Sequence, residues 1–335
     1  MRALVYTKPN EVQIQDYADP EIVEDEVVLR IEAVGICGSD MHAYHGHDPR
    51  RKPGLVLGHE FAGVVVQSKS EGFEAGARVT GNPLITCGRC GYCLQGRNNL
   101  CSDRTMVGMT RPGAFAERMS IPASSLIALP DQMNMEIAAL TEPAATAVHA
   151  VDLSRRALQI ELPEASVLVI GGGAIGLLSA LYMRSLGVHE LAVTEVNDRR
   201  RAAVSQAVDC QVIDPKVASV QSNQYELVLD CVGSALTRKV AIDSVKPGGV
   251  VMHVGLQDWA SEIDMRKLTL SEITLLGTYT YTTEDLRRTV TLLDQGVFGD
   301  CKWVETRSLM DGPGAFSDLH HGRTAAAKII LRPHA

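Results

Sequence analysis

One stretch of the sequence is rich in side chains that can bind a metal. Residues 35–60, GICGSDMHAYHGHDPRRKPGLVLGHE, contain one cysteine, four histidines, two aspartates and one glutamate. A catalytic zinc takes about three ligands from cysteine, histidine and carboxylate side chains and keeps one position open. The candidates are Cys37, His59 and Glu60, with Glu142 from the later stretch LTEPAATAVHA. Spacing alone does not favour them over the other histidines of the stretch, His42, His45 and His47.

A second cluster consists of four cysteines with the spacing C-x2-C-x2-C-x7-C: Cys87, Cys90, Cys93 and Cys101. Four thiolates so close together, separated by glycine-rich turns, can close a tetrahedral zinc site with no open position, and such a site is structural. An iron–sulfur cluster is the alternative, but its usual run has three residues before the fourth cysteine and a proline after it. Here seven residues precede the fourth cysteine and Ser102 follows it, so the spacing favours zinc.

A glycine-rich turn indicates a dinucleotide site. The stretch SVLVIGGGAIGLLSALYMRSLG contains G-x-G-x-x-G at Gly171, Gly173 and Gly176, between a β-branched run and an apolar helical run. The first glycine permits a tight turn, the second lets a pyrophosphate approach the backbone, and the third lets helix and strand pack closely. The N-terminus of the following helix then offers N–H donors and a positive dipole to the phosphates.

Glu195 ends the next strand-like run, about twenty residues beyond the glycines. A carboxylate at this point accepts hydrogen bonds from the adenosine ribose and repels a 2′-phosphate, which favours NAD over NADP. Arg200, in the basic run Arg199–Arg201, could lie beside the ribose and offset this charge. The alternative is that Arg200 belongs to a solvated helical turn.

The elements that must position these side chains fall into two parts. Over the first part, up to about residue 145, short runs such as DEVVLRIEAVGI and EFAGVVVQS alternate with turns, which predicts an antiparallel β domain. From about residue 164, strand-like and helix-like runs alternate, which predicts a parallel sheet covered by helices on both faces. Near the C-terminus, TTEDLRRTVTLLDQGV predicts a helix with Thr283 near its N-cap, and AAAKIILRP predicts a strand that could return to the β domain.

Composition limits the class of protein. A chain of 335 residues with 45% hydrophobic residues is large enough for two domains. Its net charge of −8 and lack of long basic runs argue against nucleic-acid binding and favour small-molecule chemistry. The N-terminal stretch MRALVYTKPN has no signal-peptide core, and glycines interrupt the apolar run VLVIGGGAIGLLSALYM. We therefore expect a cytoplasmic protein with no transmembrane helix and no membrane partner.

Over essentially its full length the chain resembles the zinc-containing medium-chain dehydrogenase/reductase family, which includes alcohol, sorbitol and threonine dehydrogenases. The matching stretches are GICGSDMH, LGHEFAG, CGRCGYC with Cys101, TEPAATAVHA and VIGGGAIG, together with Glu195. The resemblance implies an α/β architecture of two domains. A GroES-like, β-rich catalytic domain would comprise residues 1–144 and 281–335, and a Rossmann NAD-binding domain with a doubly wound parallel sheet would comprise residues 145–280. One catalytic and one structural zinc are implied as well.

The resemblance also implies which side chains bind the catalytic zinc. Cys37 and His59 match ligands of the family. Glu60 follows His59 directly, as in the polyol and threonine branches, where this glutamate can ligate zinc. Glu142 stands where simple alcohol dehydrogenases have a second cysteine ligand, so it either binds the metal or acts through a bound water. With glutamate in place of cysteine, the site resembles the polyol branch more than the ethanol branch.

Further residues receive roles from the same resemblance. Ser39 and His42 match the family's proton path: Ser39 takes the proton of the alcohol, whose O–H the zinc acidifies, and passes it through the nicotinamide ribose to His42. The alcohol carbon delivers hydride to the nicotinamide. Thr146 and Ile175 match positions that lie against the nicotinamide. Their alternative interpretation is an ordinary helix hydroxyl and an aliphatic side chain in a turn.

The segment after the proton path borders the substrate cleft in relatives. Its polar members either contact a polyhydroxylated or anionic substrate, with an arginine gripping a carboxylate or phosphate, or form a polar surface loop. These residues are His45, His47, Asp48, Arg50 and Arg51. Sorbitol dehydrogenases have an arginine shortly after the glycine that corresponds to Gly277, whereas this chain reads GTYTYT. This departure argues against sorbitol itself as the substrate.

Together these features predict a zinc enzyme that uses NAD, in preference to NADP, to oxidise a secondary alcohol of a polyol, sugar acid or sugar phosphate to a ketone. The alternatives are a threonine-like or simple secondary-alcohol dehydrogenase and, in another class, a dinucleotide-binding sensor or structural protein without activity. By resemblance we expect a homodimer or homotetramer that assembles through the edge strand of the Rossmann sheet.

Overall fold

Eighteen β-strands and ten α-helices form the chain, and a computed structural model describes all of residues 1–335. The strands are β1 (Arg2–Lys8), β2 (Glu11–Asp16), β3 (Glu26–Gly35), β4 (Leu55–Val56), β5 (Glu60–Ser68), β6 (Arg78–Gly81), β7 (Leu84–Ile85), β8 (Thr105–Met106), β9 (Arg118–Pro122), β10 (Leu126–Ala128), β11 (Val167–Ile170), β12 (Leu191–Thr194), β13 (Gln211–Ile213), β14 (Tyr225–Asp230), β15 (Val245–His253), β16 (Thr274–Gly277), β17 (Val304–Ser308) and β18 (Lys328–Arg332). The helices are α1 (Gly38–Tyr44), α2 (Gly91–Leu94), α3 (Met135–Ala139), α4 (Thr141–Ala157), α5 (Ala174–Ser185), α6 (Asp198–Ala207), α7 (Ala235–Ser244), α8 (Met265–Leu270), α9 (Thr283–Asp294) and α10 (Gly312–His320).

The N-terminal part of the chain is built around a seven-stranded sheet with the order β10-β6-β5-β3-β18-β17, in which β9 also pairs with β3. The central strand β3, EVVLRIEAVG, is buried at nearly every position because neighbouring segments cover both of its faces. β18 pairs antiparallel with β3 and parallel with β17, so the C-terminal run does return to the β domain. Both ends of the chain therefore contribute to one sheet.

The second sheet has six parallel strands in the order β13-β12-β11-β14-β15-β16. Counted along the chain this order is 3-2-1-4-5-6, the doubly wound arrangement whose binding crevice lies where the order reverses, here between β11 and β14. β11, VLVI, is buried throughout, as expected for a strand covered by helices on both faces. The predicted α/β class, with a parallel sheet and a separate β-rich domain, is confirmed.

Two large apolar cores hold these layers together, one of 37 and one of 30 buried side chains. The larger core fills the parallel sheet and its helices and extends to Ala33, Ala62 and Ile330 of the β-rich sheet. α4 packs against α5 and α9 and runs without a break through residue 144, where we placed a domain boundary. The two domains consequently share a continuous packed interface at this helix.

α9 begins where the sequence predicts, with Thr283 next to its N-cap. Thr282 is the cap: its Oγ1 accepts a hydrogen bond from the Asp285 amide at 3.1 Å, and the Asp285 carboxylate accepts one from the Thr282 amide at 3.1 Å. Thr283 is the first residue of the helix and so lies near the N-cap, as predicted. The capping box forms at Thr282 because Thr282 has a carboxylate three residues later and Thr283 does not. None of the helices combines the length and apolar character needed to cross a lipid bilayer.

Candidate active site and metal centres

Two antiparallel strands bring the N-terminal candidate ligands to one place. β3 ends at Gly35, β5 begins at Glu60, and these two residues are paired across the sheet. Cys37 follows β3 and directly precedes α1, while His59 directly precedes β5. Because the end of one strand lies beside the start of the other, residues far apart in sequence meet at the same edge of the sheet.

At this edge the ligand atoms of Cys37, His59 and Glu60 all lie within 4.8 Å of one another. His59 and Glu60 are buried, and Cys37 is half-buried. A sulfur, an imidazole nitrogen and a carboxylate oxygen form the kind of three-ligand set that a catalytic zinc uses. The structure does not bring His42, His45 or His47 into this group of three.

The surroundings of His59 favour a positive charge. Its Nδ1 is buried without a hydrogen-bond partner and lies 3.5 Å from the Asp40 Oδ1. Burial alone would lower the pKa of His59, but the negative charges of Asp40 and Cys37 raise it well above its ordinary value. A metal cation at this point would experience the same attraction, so the residues fit a zinc ion.

Asp40 is a supporting residue that sequence reasoning did not single out. It is fully buried and accepts a hydrogen bond from the Cys37 amide at 3.0 Å and a longer one from the Gly58 amide at 3.4 Å. Carboxylates that face the second nitrogen of a metal-binding histidine orient its ring and raise its basicity. Asp40 could have been a candidate from the sequence, since it lies within the metal-binding stretch of residues 35–60.

Glu60 has a cationic neighbour, the buried Lys328 on β18. The Lys328 Nζ lies 2.6 Å from both carboxylate oxygens of Glu60 and donates to the Ile36 carbonyl at 3.0 Å. Gly35 makes room for this carboxylate, since a Cβ at that position would lie 2.1 Å from the Glu60 Oε2. Sequence reasoning missed Lys328 because nothing in the sequence links positions 60 and 328.

Glu142, at the start of α4, lies close by but outside the group of three. It is buried, and its Oε1 accepts a hydrogen bond from the Tyr281 hydroxyl at 3.0 Å. Burial raises the pKa of Glu142 to about 7, against the opposing effect of His59. Tyr281 is another contact that the sequence did not predict.

Ser39 and His42 lie one turn apart on α1. The Ser39 Oγ is 3.4 Å from the His59 Nε2, which places this hydroxyl at the edge of the candidate metal site. Burial lowers the pKa of the half-buried His42, and His47 lowers it further. The antiparallel β domain predicted from the sequence did not include α1, because its seven residues, GSDMHAY, carry little helical periodicity.

The two arginines that follow are already engaged within the chain. Arg51 is buried and donates to the Asp48 carboxylate at 2.9 Å, to the Ser39 carbonyl at 3.1 Å and to the Ser39 Oγ at 3.3 Å. Arg50 is exposed and binds the Asp48 carboxylate through two nitrogens. Arg51 therefore positions Ser39 and has no free face for a substrate anion. His45, whose Nε2 lies 2.9 Å from the His320 Nδ1, is paired at the surface.

The four cysteines converge as their spacing predicts. All four sulfurs lie within 4.8 Å of one another, with Cys90 and Cys93 at 3.6 Å and Cys87 and Cys101 at 3.5 Å. Thiolates on one tetrahedral zinc, with bonds of about 2.3 Å, lie roughly 3.8 Å apart. The backbone amide of Cys93 lowers the pKa of Cys90 to about 6, which favours the thiolate that a metal needs.

The glycine turn has the geometry that a dinucleotide needs. Gly171 has a φ of +98°, which favours glycine. A Cβ on Gly176 would lie 1.8 Å from the Gly171 carbonyl oxygen, whereas one on Gly173 would meet no protein atom within 4 Å. Gly173 caps α5, and the space beside it is free for a ligand. Ile175, in the first turn of α5, and Thr146, on α4, are half-buried.

Glu195 directly follows β12 and belongs to the same candidate dinucleotide site. Its carboxylate accepts hydrogen bonds from the amides of Gly172 at 3.0 Å and Asn197 at 2.8 Å. The Arg200 Nη2 lies 3.2 Å from the same carboxylate, so Arg200 pairs with Glu195 rather than projecting freely into solvent. The expected acidic residue therefore stands beside the glycine turn with part of its charge balanced.

Comparisons with known proteins agree with this geometry. Residues 23–131 match the model of the alcohol dehydrogenase GroES-like domain, and residues 174–295 match that of the zinc-binding dehydrogenase domain. An L-threonine 3-dehydrogenase from a Chelativorans strain is 34% identical over 293 residues, which cover 83% of each chain.

Solved structures give the same result over the whole chain. A zinc-binding dehydrogenase from Sinorhizobium meliloti, bound to NADP, has 29% identity and a TM-score of 0.87, with 99% of each chain covered. Acetophenone reductase from Geotrichum candidum, in complex with NAD, has 27% identity and a TM-score of 0.89, covering 99% of this chain and 96% of its own.

Proposed function

Since the chain belongs to the zinc-dependent alcohol dehydrogenase family, we propose that it oxidises a secondary alcohol of a polyol, sugar acid or sugar phosphate to a ketone and reduces NAD to NADH. The observation that carries the proposal is the convergence of Cys37, His59 and Glu60 beside the Ser39 hydroxyl. A zinc ion held there would acidify the alcohol, and the nicotinamide would accept its hydride.

The residues of the chain supply the path for the proton. The Ser39 Oγ accepts the proton of the alcohol as its own hydroxyl proton leaves towards His42, and Arg51, which donates to this oxygen at 3.3 Å, keeps it in place. His42, one turn later on α1, takes up the proton that Ser39 releases and passes it to solvent. A lowered pKa keeps His42 neutral at neutral pH, so that it can take up the proton.

The proposed substrate class rests on the polar character of the site. The Glu142 carboxylate, whose Oε1 accepts from the Tyr281 hydroxyl, offers an acceptor for a substrate hydroxyl where a simple alcohol dehydrogenase would have a further cysteine. A buried carboxylate suits a substrate with several hydroxyls, because an apolar substrate could not hydrogen-bond to it. A threonine-type amino alcohol is the second candidate, favoured by the 34% identity to a threonine 3-dehydrogenase.

The test is a screen of NAD reduction across polyols, aldonates, their phosphates, threonine and 2-butanol. We expect turnover of at least one polyhydroxylated substrate, with Cys37→Ser inactive and depleted of one metal. Turnover of 2-butanol alone would contradict the polyol proposal, and turnover of threonine alone would establish the second candidate. NADH binding without turnover of any alcohol would indicate an inactive dinucleotide-binding protein instead.

The preference for NAD rests on Glu195, and its pairing with Arg200 reduces the charge that a 2′-phosphate would meet. We expect Glu195→Ser to shift the ratio of kcat/KM for NADP over NAD upwards by at least about tenfold, the effect of one lost repulsion. Asp198→Asn, which removes an exposed carboxylate three residues later, is the matched control and should leave the ratio unchanged. An unchanged ratio in Glu195→Ser would contradict this role.

A further inference from the structure

Tyr281 lies fully buried beside the candidate catalytic metal site, with 1% of its surface exposed. Its hydroxyl donates to the Glu142 Oε1 at 3.0 Å. Both groups are buried, so the phenol and the carboxylate are each other's hydrogen-bond partners away from bulk water. The Tyr281 hydroxyl therefore holds one oxygen of the Glu142 carboxylate.

The hydrogen bond fixes the position of a carboxylate near the candidate metal site. α4, which carries Glu142 in its first turn, contacts β5, which begins at Glu60, yet Glu142 is not part of the group within 4.8 Å. A fourth protein ligand would close the coordination sphere, as in a structural zinc site, whereas catalysis requires an open position. Tyr281 is the side chain that hydrogen-bonds to Glu142 outside this group.

The segment that carries Tyr281 is anchored on both sides by the cysteine lobe, which we define as residues 87–101. Asn98 donates to the Thr283 Oγ1 at 2.6 Å and accepts from the Thr283 amide at 3.1 Å. Asn99 donates to the Tyr279 carbonyl at 2.8 Å. Between these anchors, Thr280 has a φ of +47°, a conformation that costs energy for a β-branched residue and needs such restraint.

We propose that Tyr281 is a positioning residue that holds Glu142 off the catalytic metal, and that the cysteine lobe fixes Tyr281 in place through Asn98 and Asn99. The fourth coordination position then stays open to the alcohol. A metal held by the four cysteines would contribute to catalysis only indirectly, by keeping this segment rigid. The inference rests on the proposed metal site but not on the identity of the alcohol.

The test uses holoenzyme in which cobalt replaces the metals, because its absorption spectrum reports the ligands. Tyr281→Phe keeps the buried ring and removes the hydroxyl. We expect the catalytic cobalt to gain Glu142 as a ligand, so that its spectrum changes and its release to a chelator slows by about tenfold. The signal of the catalytic metal is the one that Cys37→Ser lacks.

Three control variants make the result specific. Tyr279→Phe removes another tyrosine hydroxyl from the same segment and should behave as wild type. Tyr281→Phe with Glu142→Gln should recover the wild-type spectrum, because the amide is a poor zinc ligand. Glu142→Gln alone should leave the spectrum unchanged, and this measurement stands even if Tyr281→Phe folds poorly. The proposal is overturned if Glu142→Gln alone changes the cobalt spectrum. It is also overturned if the spectral change caused by Tyr281→Phe persists in the double variant with Glu142→Gln.

The role of the lobe is tested by a double-mutant cycle. Asn99→Ala should shift the cobalt spectrum in the same direction as Tyr281→Phe and add nothing in the Tyr281→Phe background. Additive effects would refute the link to the lobe. Metal analysis separates this inference from the proposed function: a chain that binds no metal at Cys37 overturns both, whereas a metal-loaded chain indifferent to Tyr281→Phe overturns this inference alone.

Discussion

Glu60 faces two cations, the ammonium group of Lys328 and the metal that the neighbouring side chains would hold. Both Glu60 and Lys328 are almost completely buried, with side chains 1% and 3% exposed. A buried charge that loses its only partner destabilises a protein strongly, whereas a pair removed together often costs little. The Lys328 contact therefore allows a carboxylate to remain buried when no metal is bound.

Replacing Lys328 tests this role. In metal-free protein we expect Lys328→Met to lower the free energy of unfolding by about 3 kcal/mol, because Glu60 is left buried without a counter-charge. Urea unfolding measures the change. Adding Glu60→Gln should restore most of the stability. Lys302→Met, at an exposed site, should have no effect, and equal effects at the two lysines would contradict the argument.

Single residues also mark the limit of sequence reasoning. Residue types and spacing nominated the four cysteines and the glycine turn, because all members of those sites lie within one short segment. For the catalytic site, spacing left Cys37 and His59 level with other histidines, and the family resemblance separated them. Lys328 and Tyr281 were not predictable, because they reach the site through strand pairing and domain packing that no local pattern encodes.

At the scale of elements, two glycines in the turn from β11 to α5 have different roles: Gly176 allows close packing, and Gly173 leaves space for a ligand. We expect Gly176→Ala to lower the free energy of unfolding by about 2 kcal/mol or more, because its Cβ would lie 1.8 Å from the Gly171 carbonyl oxygen. Gly173→Ala should unfold as wild type, since its Cβ meets no protein atom within 4 Å, but should weaken NADH binding at least tenfold. Urea unfolding and NADH fluorescence titration measure the two effects. Unchanged NADH affinity in Gly173→Ala would contradict the proposed role of Gly173 in binding the dinucleotide.

Asp285, in the first turn of α9, makes the stability of the fold depend on pH. Burial alone would raise the pKa of Asp285, but hydrogen bonds from His149 and Thr282 outweigh it and lower the pKa from 3.8 to about 2. The ionised carboxylate therefore stabilises the fold above about pH 4, and this contribution is lost as the pH falls towards 2.

Asp285→Asn should remove this contribution. The stability difference between wild type and variant, about 2 kcal/mol above pH 4, should shrink as the pH is lowered from 4 to 2. Unfolding experiments over this range measure it. Asp294→Asn, at the exposed far end of the same helix, is the control and should give a difference that does not vary with pH. A constant difference for Asp285→Asn would contradict the assignment.

The elements themselves were largely predictable. The alternation of parallel strands and helices follows from alternating apolar runs and glycine breaks, as predicted, although the short helix α8 between β15 and β16 was not predicted. α1 was missed because its seven residues lack an apolar stripe, and its helical form depends on packing in the β domain. At the start of α9, Thr282 rather than Thr283 is the N-cap, because only Thr282 is followed three positions later by a carboxylate.

At the scale of the whole molecule, one edge of the parallel sheet carries an exposed apolar surface. β16 is the edge strand, and Leu275 on it is 38% exposed. Further exposed apolar side chains lie shortly before it in sequence, namely Leu256, Trp259, Met265 and Leu270. Unpaired edge strands beside apolar surface are sites of association. We propose that two copies of the chain pair through β16.

A charge on this edge should disrupt the assembly. We expect wild type to be at least a dimer by light scattering and Leu275→Lys to be a monomer, because a lysine ammonium would be buried at the two-fold contact. Val217→Lys introduces the same charge at an exposed apolar residue that follows β13, on the opposite edge, and should remain assembled. A monomeric wild-type chain, or loss of assembly in Val217→Lys alone, would refute pairing through β16.

The position of β18 has a consequence for how the protein is made. This strand follows the parallel-sheet domain in sequence, lies between β3 and β17 and delivers Lys328 to Glu60. During synthesis the N-terminal sheet thus lacks a central strand until the whole parallel-sheet domain has been made. Closure of the long loop from β3 to β18 is a slow, non-local step. A nascent chain that has not yet reached β18 keeps the Glu60 carboxylate without its lysine, so the metal pocket can form only after β18 has joined the sheet.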